Sequence, residues 1–403
     1  MQRSQRSLWA WALYDWANSA WATAVLAGFF PVLFRQQWAL GLAPSEKTFA
    51  LGAVNAAAGL AVALLAVFVG AFGDRRRMRK RLLLAFAGLG VFATGLLAFV
   101  PEGAWPLAGL CFALAAVGFS CANLFYDALI VAVASPAQYA RASSLGYALG
   151  YLGGGLFFAL AVAFVLWAER EGLAPELAMR ASIAACALWW ASFSLPLVRW
   201  VAEPEARGLL QVRGVVRQLW GKKAVVWFLA GYFLYIDGVG SVIRMAGDFA
   251  LAIGLAPQAV IAALLLVQFV AWPAAVLAGR LAERFGTGKV LLAQVWLFAA
   301  ICFAAYGVHT PAQFFALAAS IGGVLGGVQA LSRAHFAAMT PAAEMGAWFG
   351  FFNMFGKFAA VLGPIWVGAV VWLWDAPRLA APAAAVLIVL GAWLLRRSLQ
   401  MGR

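Results

Sequence analysis

Apolar residues fill this chain in blocks of roughly 17 to 29 residues, broken only by short polar segments. At about 1.5 Å rise per residue, blocks of that length cross the hydrocarbon of a bilayer as helices. Apolar positions are continuous rather than alternating, which excludes barrel strands, and lipid tolerates no third backbone solution. Spans are expected near 11–34, 49–72, 82–100, 105–133, 143–167 and 179–199. A second set is expected near 224–247, 257–280, 289–308, 311–338, 347–373 and 380–396. The fold class is therefore an all-α polytopic membrane protein of twelve transmembrane helices. Pro382 and the Ala-rich start of the last block read equally as an interfacial turn.

Composition agrees with that pattern: 65% of the 403 residues are hydrophobic, 11% are charged, and mean hydropathy is +0.90. Soluble domains are far more polar. The net charge of +14 is not spread evenly. With both termini inside, inner segments hold 21 of the 29 Lys and Arg, and outer loops hold only Arg35, Lys47, Arg170, Arg180 and Arg378. Arg244, Arg333 and Lys357 fall within spans. Basic residues collect on cytoplasmic loops, so the charge reads as topology and contact with anionic lipid rather than nucleic-acid binding. The expected location is the bacterial cytoplasmic membrane, multi-pass, with both termini cytoplasmic.

The main polar interval, residues 200–223, follows Glu203-Pro204 and divides the chain into 1–199 and 224–403. Leu209, Val212, Val216, Leu219 and Trp220 recur there at helical spacing opposite Arg213 and Arg217. That pattern predicts an amphipathic helix lying on the membrane surface as a tether. The first span follows a basic N-terminus but contains Asp15 and Asn18 and no small-residue cleavage site, so it reads as a helix rather than a signal peptide.

The two parts repeat one another. Gly70-Ala-Phe-Gly-Asp74-Arg75-Arg76-Arg77-Met-Arg79-Lys80 returns 209 residues later as Gly279-Arg-Leu-Ala-Glu283-Arg284-Phe-Gly286-Thr-Gly-Lys289. Each copy lies between two apolar spans. Ser135-Pro136-Ala137 pairs with Thr340-Pro341-Ala342 at an offset of 205, and Gly150 with Gly356 at 206. Near-constant offsets across six spans imply two six-helix bundles in the same orientation, related by an axis normal to the membrane.

This arrangement resembles the major facilitator superfamily, whose Gly-x-x-x-Asp-Arg-x-Gly-Arg-Arg loop lies at the cytoplasmic end of helix two. The first copy keeps Gly70, Asp74 and Arg75 but has Arg77 in place of the family glycine. The second keeps Gly279, Glu283, Arg284 and Gly286 and loses the later arginines. The resemblance implies that Gly70 allows close helix approach. It also implies that Asp74 caps a facing helix N-terminus while pairing with a basic residue, latching an inner gate. The alternative for Arg76, Arg77 and Arg81 is topology alone.

A narrower resemblance rests on Leu13-Tyr14-Asp15-Trp16-Ala17-Asn18-Ser19-Ala20, Tyr232-Phe-Leu-Tyr235-Ile-Asp237-Gly238, Gly327-Val-Gln329-Ala-Leu-Ser332-Arg333 and Phe355-Gly356-Lys357-Phe358. These are similar to the autophagy-related vacuolar effluxer branch, in whose fungal members the implied activity is release of amino acids from the vacuole. Ile236 stands where that branch has a polar residue.

Ionisable groups inside a bilayer are costly and face a cavity or a partner. They occur here in spans one (Asp15), four (Asp127), seven (Asp237, Arg244), ten (Arg333) and eleven (Lys357), and are absent from the interiors of three, six, nine and twelve. Asp237 and Lys357 fall near mid-span, where a substrate site belongs. Lys357 would bind a substrate carboxylate or exchange with a proton, or else form a buried pair with an aspartate. Asp237 is the candidate proton carrier, with a structural pair as its alternative. Asp15, Asp127 and Arg333 lie nearer the inner ends, where gate pairing is the stronger reading. Asn18, Asn123, Gln268, Gln329 and Asn353 offer hydrogen bonds to substrate or between helices, and Tyr14, Tyr126, Tyr147 and Tyr151 shape the cavity. Most of the 19 tryptophans are expected in interface belts.

Cys111, Cys121, Cys186 and Cys302 lie in apolar spans with no CxxC pair, and two histidines make no metal cluster. No cofactor is expected. Gly153-Gly154-Gly155 and Gly322-Gly323 lie within spans and no Gly-Lys-Ser/Thr follows, which argues against an ATP-driven pump. The expectation is a monomeric secondary transporter, not an enzyme, that moves a small polar or zwitterionic metabolite, such as an amino acid, with proton coupling. A proton-coupled drug or lipid exporter, a membrane-embedded transferase and a non-transporting receptor are the alternatives.

Overall fold

The computed structural model describes residues 2–204, 217–219, 221–252, 257–374 and 376–401. Most of the interval expected to form the amphipathic tether lies outside the described residues, as do the side chains of Arg75, Arg244, Asp248 and Lys357. Twelve long helices are described, and no strand occurs among the described residues. Helix α1 runs from Gln2 to Ala20 and continues through π-helical turns Trp21–Phe29 and Phe34–Trp38. Then follow α2 (Pro44–Arg76), α3 (Arg79–Leu97), α4 (Trp105–Ala128), α5 (Tyr139–Arg170) and α6 (Pro175–Trp200). The second half holds α7 (Lys223–Ala252), α8 (Pro257–Phe285), α9 (Thr287–Ala304), α10 (Pro311–Met339), α11 (Met345–Trp374) and α12 (Ala380–Met401).

Eleven of these are long and apolar enough to cross a membrane, and α11, with 30 residues, reaches about 45 Å. Several extend past the apolar blocks because polar cap residues add turns at each end. Proline occupies the first turn of α2, α4, α6 and α10, where its missing N–H is no loss. Thr310 and Gln313 form a capping box at α10. Pro382 sits in the first turn of α12, so the Ala-rich segment is helix rather than an interfacial turn.

Packing repeats between halves. In the first, α1 packs on α5 and α6, α2 on α4, α3 on α4 and α6; in the second, α7 packs on α11 and α12, α8 on α10, α9 on α10 and α12. The principal seams between halves are α2 against α11 and α5 against α8, with α4–α11 and α5–α10 beside them. Those four seams also exchange under the two-fold relation. Helices α3, α6, α9 and α12 stay outside the principal seams.

The molecule is inside-out relative to a soluble one. Large apolar side chains such as Phe92, Phe99, Leu188, Leu195 and Trp372 are exposed, while Asp15, Asn18, Asp74, Asp127, Asp237 and Arg333 are buried. Lipid is the solvent that makes this arrangement favourable. Trp11, Trp21, Trp38, Trp190 and Trp348 are fully buried, whereas others such as Trp9, Trp167 and Trp372 are exposed. In the first half Trp11 stacks on Tyr126 of α4 at 4.4 Å and Trp21 on Phe119 of the same helix at 4.8 Å. The four cysteines are buried.

Candidate functional site

Helix α5 approaches α1 through a row of small residues. An added Cβ at Gly150 would lie 3.2 Å from the Asp15 carboxyl carbon and 2.8 Å from Ser19 Oγ, and one at Gly153 would strike the Trp16 ring. Gly356, its partner at offset 206, faces Tyr232 of α7 in the same way. Small residues here bring polar groups of neighbouring helices within reach of one another.

At the end of the bundle that carries the two hairpins, that approach builds an ion cluster across the halves. Arg333 of α10 donates from Nη1 to Asp127 Oδ1 of α4 at 3.0 Å and lies 3.7 Å from Asp15 Oδ2 of α1. Its Nε and Nη2 donate to the Oγ and carbonyl of Ser143 on α5, at 2.7 and 2.8 Å. Tyr126 donates its hydroxyl to Asp15 at 3.2 Å. The guanidinium lies 4.3–5.1 Å from the ring centroids of Trp11, Tyr126 and Tyr147. Gly146 leaves it room, since an added Cβ would stand 2.9 Å from Nη2. Three charges and their donors are thus enclosed, two carboxylates to one guanidinium, in a place where an unpaired charge is expensive.

Deeper in the bundle, Asn18 donates to Asn123 at 2.5 Å within the first half, and Tyr151 donates to Gln329 at 2.5 Å between halves. Asn353 of α11 donates to the carbonyl of Phe349. Asp237 is buried on α7 against Gly363 of α11, where an added Cβ would lie 2.7 Å from its carboxyl carbon. Lys357 precedes Gly363 by six residues, roughly 9 Å along the helix. Two residues from Asp237 towards the hairpin end, Tyr235 and Ser332 hydroxyls bond at 2.7 Å.

The first hairpin closes the α2–α11 seam. Asp74 accepts from Gly346 N at 3.0 Å and Ala347 N at 2.7 Å, at the N-terminus of α11, where orphan N–H groups and the helix dipole favour an anion. Its cation is Arg79, at 2.5 Å, whose Nη2 also donates to the carbonyls of Ala342 and Ala343. Gly70 lies against the Gly346 carbonyl and 3.4 Å (from an added Cβ) from Gly350 Cα. Glu203, just past α6, caps α3 through the N–H groups of Lys80 at 3.0 Å and Arg81 at 3.4 Å, while Lys80 Nζ donates to the carbonyls of Val198 and Val201.

The second hairpin differs. Gly279 faces Ser144 of α5, with 2.7 Å from an added Cβ to Ser144 Cβ. Glu283 and Arg284 are exposed, and Arg284 lies over the ring of Phe285 at 5.2 Å. Neither forms a described ion pair. A cavity of about 710 Å³ opens there between α1, α5 and α8.

The cluster thus unites Asp15, Asp127 and Arg333, while Asn18, Asn123, Tyr151 and Gln329 form separate bonded pairs. Residues that sequence reasoning missed are Arg79, Ser143 and Trp11. Arg79 is one of six basic residues at 75–81 and nothing in the run distinguishes it.

The family described as "Vacuole effluxer Atg22 like" matches residues 48–138 and 132–401. The chain is 33% identical over 411 residues to the uncharacterized MFS-type transporter YxiO of Bacillus subtilis, covering 98% of this chain and 95% of that one. It is 24% identical to autophagy-related protein 22-1 of Phaeosphaeria nodorum over 87% of this chain and 76% of that one. Among solved structures the proton:xylose symporter XylE shares the fold at TM-score 0.75 and 12% identity, covering 98% and 94% of the two chains. The fucose:proton symporter FucP shares it at TM-score 0.71 and 13% identity, covering 99% and 98%. The transferase and receptor alternatives do not survive these matches. The chain belongs to the Atg22-like vacuole-effluxer family of the major facilitator superfamily, a multi-pass secondary transporter and not an enzyme.

Proposed function

We propose that the chain moves a small polar or zwitterionic metabolite, with amino acids as the first class to test, by proton-coupled alternating access. In this reading the halves 1–199 and 224–403 rock about a site near mid-span, joined by 200–223, and the hairpin end faces the cytoplasm of a bacterial cell. The basic inner loops support that orientation.

One observation carries the coupling: Arg333 from one half is shared by Asp15 and Asp127 from the other. Opening the hairpin end by rocking the halves separates the guanidinium from both carboxylates. Each would then be left in low dielectric without its counter-charge, at a cost of several kcal/mol unless protons or water neutralise it. Two carboxylates against one cation leave room for a proton even in the closed state. Opening therefore takes up protons, and closing returns them. Substrate selectivity falls to the second half, where Lys357 would receive a carboxylate and Asp237 an ammonium group or proton.

Reconstituted protein in liposomes tests this with labelled amino acids and a pH gradient imposed in either direction. Flux of at least one amino acid that reverses with the gradient is the expected result. If amino acids stay put while lipophilic cations move with the gradient, the exporter alternative replaces this reading.

A further inference from the structure

The two-fold relation makes a demand that the second hairpin does not meet. At the N-terminus of α11 the N–H groups of Gly346 and Ala347 hold the carboxylate of Asp74. The offset of 205 maps those positions onto Arg141 and Ala142, in the first turn of α5. That turn has no acidic residue, its N-cap Gln138 makes no side-chain cap bond, and the matching carboxylate, Glu283, is exposed. The 710 Å³ cavity occupies this place, lined by Arg141, Arg280 and Ser144 together with Leu8 and Trp9 of α1.

Ser144 gives independent evidence that the cavity receives a polar ligand. It is 2% exposed, and its Oγ has no hydrogen-bond partner among the described residues. Ser182 and Ser194, also buried in helices, donate to the carbonyl four residues back. The Ser144 hydroxyl instead faces Gly279 on the cavity wall, 2.8 Å from where a Cβ would stand. A buried hydroxyl left without a partner is costly, so a ligand that bonds it binds with that advantage.

The geometry points to a site for an anionic phospholipid such as phosphatidylglycerol, with the headgroup phosphate at the start of α5. Two arginines and a helix N-terminus supply charge-assisted donors for a phosphate, and Ser144 supplies a hydroxyl. Leu8 and the half-exposed Trp9 give the acyl chains an apolar wall. A lipid matches both parts, whereas free phosphate would leave the apolar wall wet. Glu283, on the same rim, competes with the anion. A bound lipid would thus fill on the α5–α8 seam the place that Asp74 fills on the α2–α11 seam.

The test uses the full chain in an uncharged detergent, titrated with short-chain phosphatidylglycerol, with an uncharged glycolipid of the same acyl chains, and with inorganic phosphate. Native mass spectrometry and thermal unfolding report binding. Phosphatidylglycerol is expected to bind about tenfold tighter than either comparison ligand. Ser144→Ala and Arg280→Gln should each weaken it roughly threefold or more, and Glu283→Gln should tighten it about twofold. Glycolipid binding as tight as phosphatidylglycerol would reduce the site to an apolar groove and overturn the proposal. Phosphate binding as tight would make it a site for a soluble phosphate instead. Lipid affinity unchanged in both weakening variants would place the lipid elsewhere. The three-ligand comparison on the unmodified chain decides even if a variant fails to fold.

Discussion

At the turn between α2 and α3 the hairpin carboxylate, Asp74, is 1% exposed and bonded to two backbone N–H groups and to Arg79. At the turn between α8 and α9 its counterpart, Glu283, is exposed beside a cavity. The two sequences differ by one methylene at that carboxylate and by the arginines that follow it. Arg79 has no equivalent in the second copy, where Gly288 stands at the same offset. A carboxylate at a helix N-terminus needs a second partner to be worth burying, because desolvation offsets most of its gain. The first hairpin has that partner and forms a lock; the second lacks it and stays in solvent. The α5–α8 seam is held instead by close packing of Gly279 on Ser144 and, alongside it, by Arg333 on Ser143.

Arg79→Gln should break this contrast most severely. It leaves Asp74 buried without its cation, a loss of about 3–5 kcal/mol that thermal unfolding in detergent would register. Asp74→Asn is expected to cost about 3 kcal/mol, whereas Glu283→Gln should change stability by less than about 0.5 kcal/mol. Equal effects at the two positions would remove the asymmetry altogether. A glycine pair sharpens it further. Gly70→Ala meets backbone atoms of α11 that cannot retreat, and should cost about 1–3 kcal/mol with no side chain available to relieve it. Gly279→Ala meets the Ser144 side chain, so adding Ser144→Gly should return stability to within about 1 kcal/mol of the parent.

A modest effect of opposite sign belongs to the turn itself. Arg77 ends α2 at φ 53°, the left-handed region, and the matching residue of the second copy, Gly286, has φ 92°. The arginine that departs from the family glycine therefore carries out a glycine's backbone task. Arg77→Gly should gain up to about 1 kcal/mol, visible as a small rise in unfolding temperature.

Much of the architecture was legible beforehand because lipid allows few solutions. Spans follow from apolar block length, and the two-fold relation follows from Gly150 and Gly356 or Asp74 and Glu283 at near-constant offsets. Asp15, Asp127 and Arg333 stood out because charge within an apolar run is rare. Their common cluster was less legible, since three helices far apart in sequence meet only after the halves close. Arg79 was hidden for the opposite reason: six basic residues at 75–81 all satisfy the topological bias, and only folding shows which one turns inward. Ser143 and Ser144 carry no signal, because small polar residues are ordinary in membrane helices. Which tryptophans are buried was not legible, since composition does not show which face of α1 or α6 they occupy.

The central claim is that the Asp15–Arg333–Asp127 cluster couples opening of the hairpin end to a proton. Its most direct test is substrate-driven proton movement in liposomes with an internal pH-sensitive dye, measured for the parent chain and for Asp127→Asn. The parent should move protons when, and only when, a transported amino acid is supplied, and the variant should lose at least about nine-tenths of that signal. Substrate flux in the parent without any proton movement, or full proton movement in the variant, would contradict the account.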